Sequence, residues 1–322
     1  MGTKTWHLAL VIVLMMILNL STISRVDGEQ QVPCYFIFGD SLLDNGNNNA
    51  LQSKVKANYL PYGIDFPAGP TGRFSNGRNI ADITAELLGF VEYIPSFATA
   101  RGREILKGVN YASGGAGIRD ETGQNLGTVI SFSKQLLNHK TTVSRIVSLL
   151  GDEKSTEKNL SKCIYTTLYS YGARKVALFG IGPIGCTPGN IATYDTNGSL
   201  CVDFINKAVQ EFNIRLKTLV DNLNHNLQDA KFIYVNVYGI SSGPLAGLQG
   251  PNPCCSVANI ANNGGILTCI PFSPPCPVRA LEVFYDATHP TEAANLVVAG
   301  RSYVSLLPSD THPIDIRQLA RL

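Results

Sequence analysis

The sequence predicts an α/β domain built on a mainly parallel sheet. Three observations carry this expectation. Short apolar runs that end in Gly, Asn or Asp alternate along the chain with stretches of helical period. The longest helical stretch, Ile205 to Leu227, lies between two β-rich runs, Lys175 to Ile181 and Lys231 to Tyr238. Strand, amphipathic helix, strand is a βαβ unit, and such units pair their strands in parallel. Ser41 and a glycine cluster at 114, 115 and 117 each follow a strand end, where the active loops of such sheets lie.

Taken in order, the chain opens with Lys4 and His7 before an unbroken apolar run, Leu8 to Leu18, and Val26 and Gly28 follow at cleavage-like positions. This is the pattern of a secretory signal over residues 1–28, leaving 29–322 as a single domain. Tyr35 to Phe38 reads as a strand. Ile80 to Leu88 has apolar residues at 80, 83, 87 and 88 and then Gly89 as a C-cap, so it reads as a helix. Val109 to Ala112 is a short strand running into Ser-Gly-Gly-Ala-Gly. Val143 to Leu150 is a helix stopped by Gly151. In the long helix, Phe212, Leu216, Leu219, Val220, Leu223 and Leu227 share one face. Residues 290–304 are helical again, and no internal repeat or low-complexity linker divides the chain.

Composition narrows the function classes. Hydrophobic residues make up 44% and charged residues 16%, which fits a globular chain. With a net charge of +2, nothing argues for nucleic acid or an anionic membrane surface as partner, and none is expected. The apolar run at residues 8–18 is too short to prefer spanning a bilayer, and no later stretch suits it, so stable membrane insertion is not expected. The eight cysteines of a secreted chain point to disulfides. Cys254, Cys255, Cys269 and Cys276 lack the paired spacing of a zinc site. Cys186 and Cys201 bracket a loop they are placed to close, and Cys34 and Cys163 either pair or stay buried. Asn159 and Asn197 begin sequons.

The chemistry gathers at two ends of the chain. A serine hydroxyl needs a base to take its proton, usually a histidine oriented by a carboxylate. Ser41 stands in "FIFGDSLLDNGNN". Of the five histidines, His7 leaves with the leader, His139 and His225 sit in helical patterns and read as solvent-facing, and His312 lies in a charged tail. His289 remains, in "YDATHP", three residues after Asp286. Either motif alone is weak, since the aspartate is equally suited to N-cap the following helix.

Together with "FSNGRNIADITAELLG", "GVNYASGGAGI", "YGARKVALFGIGPIGC" and "FYDATHPTEAANLVVAGR", these stretches resemble the plant GDSL esterase/lipases of the SGNH hydrolase group, in the family's order and over nearly the whole mature chain. The resemblance implies a flavodoxin-like α/β/α sandwich and hydrolysis of carboxylic esters, small-molecule or lipid, through an acyl-serine intermediate. It assigns Ser41 as nucleophile, His289 as base and Asp286 as its partner. Gly115 would supply an oxyanion N–H, with Gly114 the close alternative, beside the Ser41 N–H. No metal or organic cofactor is required.

One block of the family's pattern is missing. The Gly-x-Asn-Asp segment, which carries the asparagine of the oxyanion hole, has no counterpart: the chain contains no Asn-Asp dipeptide. In "KCIYTTLYSYGARKV", two family segments are fused at about Thr166 and Thr167, with several dozen residues lost between them. Residues 241–253 also depart from the family. The sheet is therefore expected to lack one central strand, and residues 162–171 to form a helix before Lys175. Asn110 is no substitute, and its amide is expected to hold its own loop. The functional expectation is an impaired esterase, with the alternative of an inactive isoform or pseudoenzyme that binds lipid, ester or protein without turnover.

Overall fold

The computed structural model describes residues 29–166, 172–194, 196–243, 248–257 and 268–322. The expected leader, Thr167 of the fused segment and part of the divergent 241–253 stretch lie outside the described residues. In chain order the elements are β1 (Tyr35–Phe36), α1 (Ile80–Leu87), α2 (Phe132–Leu150), α3 (Glu153–Leu160), β2 (Ile164–Tyr165), β3 (Lys175–Phe179), α4 (Pro188–Thr193) and α5 (Asp203–Asn226). They continue with β4 (Lys231–Val235), α6 (Val237–Ser242), β5 (Gln249–Pro253), β6 (Glu282–Phe284), α7 (Glu292–Tyr303), β7 (Thr311–His312) and α8 (Ile316–Ala320).

The main sheet runs β1-β2-β3-β4-β7. Its first four strands are parallel, and β7 closes the edge antiparallel to β4. Side chains alternate across the sheet because the strand period is two. Tyr35, Ile37, Ile164, Ala177 and Ile233 enter one core with α1, α7 and α8. Phe36, Phe38, Tyr165, Val176, Leu178 and Phe232 enter the other, with α2, α3 and α5. This is the three-layer α/β/α arrangement, and the mainly parallel sheet agrees with the sequence reading.

Several elements differ from expectation. Val109–Ala112 makes no ladder of its own; Asn110 forms isolated bridges to Ile37 and Ser96. It still runs beside β1, since the Tyr111 N–H donates to the Ile37 carbonyl (2.7 Å). The strand expected to reach Tyr238 stops at Val235, because Asn236 caps α6 by accepting from the Gly239 N–H. The helix ending at Gly151 begins already at Phe132. Its buried residues are Gln135, His139, Thr142 and Ile146, so His139 is buried rather than solvent-facing. The His139 ring packs against Phe36, Phe38, Tyr111 and Tyr165, and burial holds its pKa down to about 3.

Of the helix expected over residues 162–171, residues 167–171 lie outside the described residues, and the described part is corrected. Ile164–Tyr165 is a strand, not the start of a helix, and it fills the position between β1 and β3. The cause is a covalent link between segments far apart in the chain. Cys34 and Cys163 are disulfide-bonded with Cα atoms 4.8 Å apart, the spacing of neighbouring strands, and each stands one residue before its strand. That bridge sets the register Tyr35↔Ile164. The strand is only a stub: β3 pairs two residues with it but five with β4.

A third cluster lies beyond the sheet. Tyr62, Phe74 and Tyr285 pack with Cys254, Cys255 and Cys269. Bridges Cys254–Cys276 and Cys255–Cys269 tie this region together, and Cys186–Cys201 closes the expected loop. All eight cysteines are therefore in disulfides.

Candidate active site

Ser41 lies in the turn that follows β1, where the Leu43 and Asp44 N–H groups donate back to the Asp40 carbonyl (3.3 and 3.1 Å). The strand end before it is held from the side. Gln135 of α2 accepts from the Gly39 N–H (3.0 Å) and donates to the Gly39 carbonyl (2.8 Å). Asn110 donates to the Leu43 carbonyl (2.7 Å) and accepts from the Ala112 N–H (2.9 Å), so its amide does hold this loop pair together.

The structure brings Ser41, Asp286 and His289 together. The Ser41 hydroxyl is 2.7 Å from His289 Nε2, and His289 Nδ1 is 2.7 Å from Asp286 Oδ2. An ionised carboxylate only accepts, which puts the proton on Nδ1 and leaves Nε2 free to accept from Ser41. Asp286 is fully buried and His289 nearly so. Asp286 Oδ1 also accepts from the N–H groups of Thr288 (2.8 Å) and His289 (2.7 Å), which folds the D-x-x-H turn onto itself. The aspartate is not the N-cap of α7, a position Thr291 takes. Phe74, from the "FSNG" stretch, packs on the His289 ring with centroids 4.8 Å apart. Burial disfavours the imidazolium, but the Asp286 charge, its hydrogen bond and the charge of Asp40 outweigh it, and the His289 pKa is raised above 6.5.

The two candidate glycines are not equivalent. The Gly114 N–H donates to Asp44 Oδ2 (2.9 Å), and its Cα is walled by Phe74, Asn48 and Val55. Gly115 adopts φ +80°, a conformation that favours glycine. Asp44 is itself buried and also accepts from Gly46 and Asn47 (both 2.8 Å). Burial pushes its carboxyl up to about 6 against those donors and Arg73. Among the described residues no group of three or more His, Cys, Asp or Glu is arranged to hold a metal ion.

A serine, a buried histidine and a buried aspartate in one hydrogen-bonded line suit acyl transfer. The family model for GDSL-like lipase/acylhydrolase matches residues 35–169 and 153–301. Three Arabidopsis thaliana proteins, each named GDSL esterase/lipase, are 47%, 46% and 44% identical to this chain. The matches cover 94%, 99% and 97% of this chain and 95%, 99% and 99% of the relatives. The chain belongs to the GDSL esterase/lipase family.

As a GDSL esterase/lipase it is, by family, a carboxylic ester hydrolase, which suggests small-molecule esters as substrates. The three alignments run over 348, 366 and 360 positions, more than the 322 residues of this chain, so stretches of the relatives face no residue here. Among the described residues no helix is long and apolar enough to cross a membrane.

Three site residues escaped the sequence reading. Gln135 clamps Gly39, Asp44 accepts from the Gly114 N–H of the glycine cluster, and the Tyr62 hydroxyl donates to Asp286 Oδ2 (2.5 Å). Asp44 stands in the same motif as Ser41 and was open to notice. Gln135 and Tyr62 lie 96 and 224 residues from the groups they hold, and nothing local marks them.

Proposed function

We propose that this chain is a secreted serine esterase or lipase that hydrolyses carboxylic esters through an acyl-serine intermediate, at a reduced rate. Ser41 attacks the ester carbonyl as His289 Nε2 takes its proton. Asp286 keeps His289 in the required tautomer and stabilises its charged form. The oxyanion is received by the backbone N–H groups of Ser41 and Gly115; Gly114 is set aside because its N–H is committed to Asp44. His289 then protonates the leaving alcohol, and water enters by the same route. The observation that carries this reading is the unbroken line from Ser41 Oγ through both nitrogens of His289 to Asp286.

The reduced rate follows from the absent Gly-x-Asn-Asp block. One oxyanion donor is commonly worth ~10²–10³ in rate. We place the loss at about Thr166 and Thr167. The family match broken into two overlapping pieces, and alignments longer than the chain, support an internal loss there. The same observations favour a second reading, an isoform that binds lipid, ester or protein without turnover. Residues 1–28 act as the secretory signal, and Asn159 and Asn197 carry glycans.

The test is expression in a secreting host, followed by p-nitrophenyl acetate hydrolysis by the purified protein and its Ser41→Ala variant. The secreted chain should begin near Glu29, and its turnover should vanish in the variant. Equal traces from both folded proteins would select the non-turnover reading.

A further inference from the structure

We propose that Tyr62 is a positioning residue of the site, holding the Asp286 carboxylate against His289, and that the Cys255–Cys269 bridge keeps Tyr62 in its donating orientation. The proposal rests on the roles given above to Ser41, His289 and Asp286.

The geometry admits one proton arrangement. A phenol has one proton to donate and lone pairs to accept with. The Cys269 N–H donates to the Tyr62 oxygen (3.0 Å), so that contact uses a lone pair. The hydroxyl proton is then directed to Asp286 Oδ2, 2.5 Å away. Burial and the neighbouring Asp286 raise the phenol pKa well above its ordinary value, so it stays a donor across the working range.

The carboxylate thus has two differently supported oxygens. Oδ1 takes the turn N–H groups of Thr288 and His289; Oδ2 faces His289 Nδ1 and takes the Tyr62 hydroxyl. Without the phenol, the only other donor to Oδ2 among these contacts is His289 itself.

Cys269 is held in place on several sides. The Tyr59 hydroxyl donates to its carbonyl (2.9 Å), and its side chain is bonded to Cys255. The Cys255 N–H in turn donates to the Tyr285 carbonyl (2.9 Å), one residue before Asp286. The bridge therefore ties together two supports of the same carboxylate: the chain before Asp286 and the amide behind Tyr62. Tyr62 is completely buried against Phe74 and Tyr285, so its ring has little freedom to turn away.

A hydrogen bond from the phenol takes up part of the carboxylate's charge. Removing it leaves a more basic carboxylate and a more strongly stabilised imidazolium. The experiment is an NMR titration of ring-labelled histidine in the full secreted chain, with His289 assigned by His289→Gln. Tyr62→Phe should move the His289 midpoint upward by about half a unit or more. Where turnover is measurable, its kcat should fall about tenfold at unchanged KM, because a hydrogen bond to a charged group is being removed.

Fluorotyrosine placed at position 62 keeps the ring volume and strengthens the donor, so it should move the midpoint downward. Cys255→Ser with Cys269→Ser should shift it upward, and adding Tyr62→Phe to that pair should shift it little further. A His289 midpoint that stays put in both folded Tyr62 variants overturns the proposal. The titration needs no turnover, so an inactive wild type leaves it decisive. Turnover that survives Ser41→Ala would instead overturn the reading of the site, while the titration still judges Tyr62.

Discussion

At the scale of single residues, the sequence brings Ser41, Asp286 and His289 to notice, while Gln135 and Tyr62, which bond to Gly39 and Asp286, carry no local mark. Ser41, Asp286 and His289 sit in short motifs whose chemistry is local, and the structure brings them within hydrogen-bonding distance. The proton on His289 has a consequence for pH. The proposed reaction needs the neutral ring, and Asp286 raises the His289 pKa above 6.5 despite burial. Plotted against pH, kcat/KM should rise to a plateau through a midpoint above 6.5. Stability carries the opposite sign. A histidine with a raised folded pKa contributes fully below its unfolded pKa, and the contribution is lost as pH rises through the folded one. Urea unfolding of the wild type and His289→Gln should show a stability difference that shrinks as pH rises across that midpoint. A difference that grows would reverse the assignment. Asp44 acts in the same sense lower down: burial pushes its folded carboxyl from an ordinary 3.8 up to about 6, so stability should also fall as pH rises through that window.

At the scale of elements, reading the sequence failed where tertiary contacts overrode local pattern. The fully buried positions of α2 are Gln135, His139, Thr142 and Ile146, three polar residues and one apolar, while its apolar Phe132, Leu136, Val143, Leu149 and Leu150 pack on the core only partly buried. Apolar periodicity therefore found only its last turns and turned His139 outward. The reading of residues 162–166 failed for another reason. Nothing in "KCIYTTLYSY" states that Cys163 is bonded to Cys34, yet that bond lays Ile164 beside Tyr35 and makes a strand. Thr166, one residue beyond the stub, makes up for its short length. The Thr166 hydroxyl accepts from the Phe38 N–H (2.7 Å) and donates to the Phe38 carbonyl (3.1 Å), serving both backbone groups with one side chain. A buried polar group left unpaired costs about 1–3 kcal/mol. Thr166→Val should therefore lower stability by about that amount in urea unfolding, while Thr166→Ser, which keeps the hydroxyl, should lose less. Equal losses would mean that the hydroxyl contributes nothing and that only packing was disturbed.

At the scale of the whole molecule, the two cores and the bridged cluster around Tyr62 are each supplied by residues far apart in the chain, whereas the loss proposed at about Thr166 and Thr167 concerns only one place in this plan. The sheet keeps its strand order through the β2 stub, but Tyr165 and Lys175 are separated by only nine residues. A crossover between parallel neighbours ordinarily needs about a dozen residues or more, and this connection is shorter than that. The proposed weakness of the enzyme is thus a property of one connection and is repairable there. Inserting between Thr166 and Thr167 the stretch of an Arabidopsis relative that faces no residue of this chain should restore strand, crossover and asparagine at once. With Ser41, His289 and Asp286 already in line, kcat on p-nitrophenyl acetate should rise by ~10²–10³, the usual worth of one oxyanion donor. An additional Asn→Ala change within the insert should return the rate to that of the present chain while leaving the chimaera as stable. A folded chimaera no faster than the parent would show instead that the Ser41 and Gly115 amides suffice, and that the lost block never limited this protein.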